Sequence, residues 1–506
     1  MEYTTKSNAG KLLLLTTILA SGLAFLDTST TNIALPTIQA KMNATVGDLQ
    51  WILTGYSLAL ASLLLISGSL GDRFGRKKIF NIGIVSFILT SLASALAQNI
   101  GQLVAFQILQ GAAAALMIPQ SLAIISTSFN ENERGKAIGI WAGLAGAMSA
   151  MGPLAGGFLV QHFGWPSIFL INIPLGLVAL IFSWKFVPAN MEHRSESVHA
   201  SHTLLIMLGL ASLTFGLIKM PELGWNSNLV ISAVGVGLAS LVIFGFIQKR
   251  SRSPLLPLNI FSSPTVLGAN LVTLLVYFGL AGMIFLLTLN FQQVQGYSPS
   301  LTGLALLPDI LIITFFSGLG GKLADAYGAR PLMIAAPLIV GLSFVLFAIP
   351  GAHANYWVSF LPAEIIFGIG MACLIAPLTK SALAVPHQYS GAASGANNAV
   401  SRIAGLLAVA IMGMVVLSLF QNNFSRIISA TEIKAAAKQE LLGQSNKMAG
   451  LILPASLGPE EKAAASTAVK TSFLHGFRWA LISMAILAFI AAGISWLTIE
   501  KNPKHL

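Results

Sequence analysis

Apolar runs long enough to cross a bilayer recur from one end of this chain to the other. A helix of about 18–20 apolar residues spans a hydrocarbon core of about 30 Å. One such run can be a buried core helix; a long series of them has no room inside a soluble globule. Only 9% of the residues are charged, against about 25% in a soluble domain, and the mean hydropathy is +0.80. Strands of a membrane β-barrel read as short alternating segments, which these runs are not. The fold class is an all-α polytopic membrane protein.

Fourteen spans are predicted, at about 12–35, 50–70, 79–97, 101–127, 137–161, 165–187, 203–219, 228–248, 266–292, 300–323, 331–350, 357–379, 392–420 and 476–499. An even count puts both termini on one side. The net charge of +11 would suggest nucleic acid in a soluble protein. Here the bases sit in short loops, where they set orientation, and no nucleic-acid partner is expected. Arg73, Arg76, Lys77, Lys78, Arg134, Lys136, Lys185, Arg194, Lys249, Arg250, Arg252, Arg330 and Lys380 fall on the Met1 side. Short loops on the other side hold little beyond Lys41 and Lys219. Both termini are therefore predicted cytoplasmic. The long loop 421–475 is predicted external, with helical pieces near 430–441 and 459–470. The N-terminal apolar run continues past Asp27, too far for a cleaved signal. The single cysteine, Cys373, rules out an intrachain disulfide.

One loop stands out between the second and third spans. It reads Gly68-Ser69-Leu70-Gly71-Asp72-Arg73-Phe74-Gly75-Arg76-Lys77-Lys78. An echo returns at Gly321-Lys322-Leu323-Ala324-Asp325-Ala326-Tyr327-Gly328-Ala329-Arg330, 253 residues later. Both copies read Gly-x-Leu-x-Asp-x-x-Gly with a base two positions on. A repeated loop implies a repeated half. Eight spans separate the copies where plain tandem halves need six. The reading is a six-helix bundle (1–187), a linker with two inserted helices (188–262) and a second six-helix bundle (263–506). The histidines of the 188–202 stretch, His193, His199 and His202, are read as a solvated linker, and no metal site or cofactor is expected.

These motifs resemble those of the major facilitator superfamily, and within it the fourteen-helix drug:proton antiporters. Gly68–Lys78 matches the loop between helices two and three almost completely. Leu26-Asp27-Thr28-Ser29-Thr30-Thr31-Asn32 looks like the first-helix signature, Gln50-Trp51-Ile52-Leu53-Thr54-Gly55-Tyr56 like the second-helix opening, and Phe169-Leu170-Ile171-Asn172-Ile173-Pro174-Leu175-Gly176 like the sixth helix. Gly152, Pro153, Gly156 and Gly157 match the fifth-helix antiporter motif, and the resemblance implies a seam against the second half. It also implies a cytoplasmic gate at Gly68, Asp72, Arg73, Gly75 and Arg76, with Asp325 and Arg330 in the second copy and a latch from Asp72 to the helix near Ser390–Ala396. One departure stands against the pattern. The fourth helix normally carries Arg-x-x-Gln-Gly; this chain has Gln107-Ile108-Leu109-Gln110-Gly111. Glutamine forms hydrogen bonds but carries no charge, so the resemblance supports transport better than the usual proton route.

Charged residues inside spans cost several kcal/mol unless paired or hydrated and mark function by default. Three of the 17 acids lie there, Asp27, Asp309 and Glu364, with one base, Arg402. At about 1.5 Å rise per residue, all four fall in one layer of the outer half of the membrane. They are expected to line or flank a cavity that attracts protons or cationic amphiphiles. A carboxyl group taken out of water favours its neutral form and so can trade a proton for a cation. Thr30 and Thr31 are expected to share the hydrogen bonds of Asp27. Further cavity candidates are Trp51, Tyr56, Gln107, Tyr277, Phe278, Asn397 and Asn398. No phosphate-binding loop, nucleophile elbow or zinc spacing is present in the sequence, so neither an enzyme nor an ATP-driven pump is expected.

The expected function is secondary active export of amphiphilic or cationic small molecules against protons, by alternating access. The chain is expected to act as a monomer in the bacterial plasma (inner) membrane, with the lipid bilayer as its surroundings. The rival readings are an exporter or flippase of a native amphiphile (a lipid, siderophore or metabolite) and a non-transporting sensor.

Overall fold

The computed structural model describes residues 3–188, 200–251, 258–386 and 389–500. Among them helices are the only extended elements; a lone bridge joins Tyr3 to Phe129. Among the described residues thirteen helices or helix pairs are long and apolar enough to cross a membrane, and a bent pair within Val46–Phe74 makes a fourteenth. The fold is the fourteen-helix arrangement read from the sequence: two six-helix bundles and an inserted pair.

The first bundle is built from α1 (Asn8–Met42), α2 (Val46–Phe74), α3 (Arg76–Ala95), α4 (Ile100–Ser128), α5 (Glu131–Phe163), the short α6 (Ser167–Leu170) and α7 (Asn172–Phe186). The inserted helices are α8 (Ala200–Leu223) and α9 (Asn228–Arg250). The second bundle holds α10 (Pro264–Leu289, continuing as a π turn to Val294), α11 (Pro299–Ala305), α12 (Leu307–Tyr327), α13 (Ala329–Phe347), α14 (Tyr356–Ser359), α15 (Leu361–Ala382), α16 (Ser390–Ala430), α17 (Ala435–Gly443) and α18 (Pro459–Thr498). The chain divides into two compact units. The first comprises residues 1–37, 51–211 and 237–255; the second comprises 38–50, 212–236 and 256–506. The inserted pair is thus shared between the units, and so is the α1–α2 hairpin, whose tip belongs to the second.

In lipid there is little hydrophobic drive between helices, so packing rests on close backbone approach at small residues. In the first unit a Cβ on Gly111 would lie 2.2 Å from the carbonyl oxygen of Tyr56, and one on Gly156 would lie 2.9 Å from the Cα of Thr30. In the second, a Cβ on Gly320 would lie 2.4 Å from the carbonyl oxygen of Ala372. Leu23, Phe80, Phe87 and Met117 fill the core of the first unit. Two ring pairs, Phe291 with Phe360 and Phe344 with Phe367, all fully buried, pack in the second.

Three expectations need correction. The loop 421–475 is much shorter: α16 runs on to Ala430 and α18 starts at Pro459. Ala/Lys/Glu-rich sequence starts α18 ahead of its apolar run, where Glu461 caps the backbone of Gly458, while α16 runs on through the buried Phe424 and Ile428. The piece at 459–470 is therefore the first part of α18. The remaining segment packs as a cover, with Ile433, Leu441 and Met448 buried. Gln39 Nε2 donates to Lys447 O at 3.0 Å, and Lys447 Nζ donates to Asn43 Oδ1 at 2.6 Å. The tenth span is also broken, at Leu306, just before Pro308. Finally, His202 is not in a solvated linker: it is a buried residue of α8, whose helix starts at Ala200. His193 and His199, with Arg194 and Arg252, lie outside the described residues.

Candidate functional site

Asp27 sits in the middle of α1 and is buried. Its two donors come from two other helices of the first unit, and a serine on a third ties them together. Asn172, at the start of α7, donates from Nδ2 to Asp27 Oδ1 at 2.6 Å. Gln110 of α4 donates from Nε2 to the same oxygen at 3.0 Å. Both amides also donate to Ser91 Oγ of α3, at 2.9 and 3.2 Å. Gln107, one turn before Gln110, donates to Gln110 Oε1 at 2.8 Å and to Ser94 Oγ at 3.2 Å. The carboxyl group is thus surrounded by neutral groups. Its other oxygen, Oδ2, has no protein donor, and neither has Asn172 Oδ1. A buried acceptor left without a donor costs about 1–3 kcal/mol, so the network is short of a proton at two oxygens.

The glutamine in the arginine position is therefore part of this network, one bond removed from the acid. Asn172, Gln110, Ser91 and Ser94 were not expected as partners. The signal available was the pair of amides one turn apart in α4 and the asparagine of the sixth-helix signature. The expected threonine partners do not serve. The hydroxyl of Thr30 donates to the backbone carbonyl of Asp27 at 3.0 Å, as helical geometry favours. Thr31 Oγ1 is buried with no partner.

A second acid group lies in the second unit. Asp309 opens α12 and Glu364 opens α15; both are buried. Gly368, one turn beyond Glu364, packs on the backbone of Asp309, so the two acids lie at one helix contact. Asp309 Oδ1 accepts the N–H of Ile310 at 2.7 Å. The hydroxyl of Tyr356 reaches Ala305 O at 2.9 Å and Glu364 Oε2 at 3.4 Å. One hydroxyl proton serves two acceptors, and Glu364 Oε1 has none. Neither carboxylate forms a salt bridge among the described residues. Glu364 is enclosed by protein rather than reaching for the interface. Arg402, half-buried in α16, has its charge near Tyr277 of α10.

The remaining candidates have structural partners. Tyr56 is buried and donates to Ala24 O at 3.2 Å. Trp51 is half-buried and Phe278 buried. Asn397 Oδ1 accepts from Thr273 at 2.8 Å, while the exposed Asn398 donates to Ser394 O. Within the first unit Gly152 and Gly156 admit α1 at Ser29 and Thr30, on either side of the kink-prone Pro153; Ser29 and Ser149 hydroxyls meet at 3.0 Å.

The two loop copies share a backbone. Gly75 joins α2 to α3 at φ 94°, and Gly328 joins α12 to α13 at φ 85°. Side chains without a Cβ tolerate such angles and others do not. In the first copy Asp72 pairs with Arg76 at 2.8 Å, and Arg76 also donates to Ala123 O. Arg73 lies over the ring of Phe74. In the second copy Asp325 pairs with Lys380 at 2.9 Å, and Arg330 donates to Trp496 O at 2.6 Å.

Fourteen spans, a doubled loop and carboxyl groups buried among neutral partners define a membrane transport protein rather than an enzyme. The model of the Major Facilitator Superfamily matches residues 17–409, and the chain belongs to that superfamily. The tetracenomycin C resistance and export protein of Streptomyces glaucescens is 30% identical, with 94% of this chain and 89% of that protein covered. The methylenomycin A resistance protein of Streptomyces coelicolor is 34% identical over 79% of this chain and 84% of its own length. Among solved structures, a bacterial homolog of the human lysosomal transporter Spinster covers 97% of both chains with a TM-score of 0.70 at 18% identity, a likeness of fold.

Proposed function

We propose that this transporter exports amphiphilic, cationic small molecules in exchange for protons, with Asp27 holding the exchanged proton. The observation that carries the reading is the setting of Asp27: a buried acid with two amide donors on one oxygen and no donor on the other. A neutral nest lets such a group take up and release a proton without breaking an ion pair. The resistance and export relatives support the substrate class. Two bundles moving about a site near mid-membrane is the usual way such folds transport. Asp309 and Glu364 are proposed to add negative charge that attracts a cation. The chain works as a monomer in a bacterial plasma membrane with both termini cytoplasmic, as the basic loops favour. Export of a native amphiphile is the second reading, favoured by the uncharged Gln107.

The test is proton release from the purified, lightly buffered protein on addition of ethidium, for wild type and Asp27→Asn. Release by wild type and none by the variant is the expected result. Ethidium binding without release leaves an uncoupled carrier. No binding at all removes the drug-exporter reading in favour of a native amphiphile.

A further inference from the structure

A groove of about 600 Å³ runs along the outside of the first unit between α3 and α7. Its lining residues are Lys77, Lys78, Asn81, Ile82, Val85, Ser86, Leu180 and Trp184. The helices are stapled at its floor: the hydroxyl of Ser183 donates to Asn81 Oδ1, and Lys77 Nζ donates to Trp184 O and Val187 O at 3.0 and 2.7 Å. The groove is graded from end to end. The lysines and Asn81 gather where α3 begins and α7 ends, the end that the basic loops assign to the membrane edge, and one hydroxyl, Ser86, lies at the other end. Ile82, Val85 and Leu180 form the apolar stretch beyond them. From Lys77 to Ser86 the helix rises about 13 Å, close to the depth of one hydrocarbon leaflet, about half of 30 Å.

We propose that this groove is a binding site for an anionic phospholipid. The headgroup lies against Lys77 and Lys78, and one acyl chain lies along Ile82, Val85 and Leu180. The charge argument is one-sided: two lysines line the groove and no acid does. Lys78 is exposed and forms no salt bridge among the described residues. Lys77 spends two protons on the carbonyls that end α7 and keeps a third for a ligand. Trp184 is 61% exposed. Its indole, apolar with one N–H donor, suits the headgroup level of a bilayer. Asn81 accepts from Ser183 through its oxygen, so its amide N–H groups remain to donate. Basic pockets between transmembrane helices at the membrane edge bind anionic headgroups in this manner. A free phosphate has no use for the apolar trough; a phospholipid fills both parts.

Native mass spectrometry of the full-length protein in detergent tests this, with dioleoyl phosphatidylglycerol and dioleoyl phosphatidylcholine supplied in equal amounts. Wild type is expected to retain the anionic lipid in excess. One basic side chain near the surface weighs about five-fold in such binding, so Lys78→Gln should lose most of that excess and Lys78→Glu all of it. Trp184→Ala should shorten retention of the anionic lipid. Lys136→Glu, an exposed base outside the groove, should keep the wild-type pattern. Equal retention of the two lipids by wild type overturns the proposal. So does an excess that survives Lys78→Glu, or one that millimolar inorganic phosphate displaces.

Discussion

At the residue scale the proposed proton site is one acid and the amides around it. Asp27 was legible because a carboxylate in a long apolar run has few structural excuses. Its partners were not. Gln110 and Asn172 are 83 and 145 residues away, and no local pattern says which polar residues of four helices will meet. The threonines one turn along looked nearer, but their hydroxyls fold back onto their own helix or stay unpaired. Gln107 was legible as a departure and illegible as a brace. It holds Gln110 Oε1 at 2.8 Å; without it that oxygen keeps only the hydroxyl of Ser94, at 3.4 Å. Gln107→Leu is therefore expected to lower stability by about 1–3 kcal/mol, read from denaturation in detergent. Ethidium-driven proton release should persist, because Asp27 keeps both of its donors. Loss of release with unchanged stability would make Gln107 a direct participant instead.

At the element scale the number of spans and the doubled loop were readable, because apolar length and a glycine-punctuated motif are local signals. Helix ends were not. The break at Leu306 and the extensions of α16 and α18 depend on where proline interrupts a span and on helix formers beyond the lipid. Close packing separates glycines that look alike in sequence. Gly111 meets the backbone of Tyr56, whereas Gly143 has nothing within 4 Å of a Cβ. Gly111→Val should therefore abolish folded, monodisperse protein, since backbone cannot yield as a side chain can, and overpacking alone costs about 1–3 kcal/mol. Gly143→Ala should leave the yield and the size-exclusion profile unchanged. The loop makes a separate demand. At φ 85° and ψ 158° Gly328 occupies backbone space that is essentially closed to other residues, so Gly328→Ala should cost about 1–3 kcal/mol. A thermal unfolding midpoint equal to wild type would mean the second loop relaxes freely.

At the scale of the whole molecule, the sidedness proposed here rests on the distribution of bases. The basic residues of the short loops pull one way. The connection between α16 and α18 runs against them, with Lys434, Lys438 and Lys447 on the side proposed as external. That conflict eases once the segment is seen as a folded cover rather than a loose loop. Ile433, Leu441 and Met448 are buried in it, and Lys447 is bonded to Asn43 at the tip of the α1–α2 hairpin. The hairpin tip and the cover thus share one side of the membrane. In a Cys373→Ser background, single cysteines at Gln98 and Glu440, both exposed, should react with a membrane-impermeant maleimide in intact cells. A cysteine at Gly135, exposed with nothing within 4 Å of a Cβ, should react only after permeabilisation. The reverse pattern would invert the chain and overturn the proposed sidedness. Labelling of Gln98 without Glu440 would put the cover opposite the connection of α3 to α4 and, by the alternation of spans, opposite the α1–α2 tip, against the packing that joins Lys447 to Asn43.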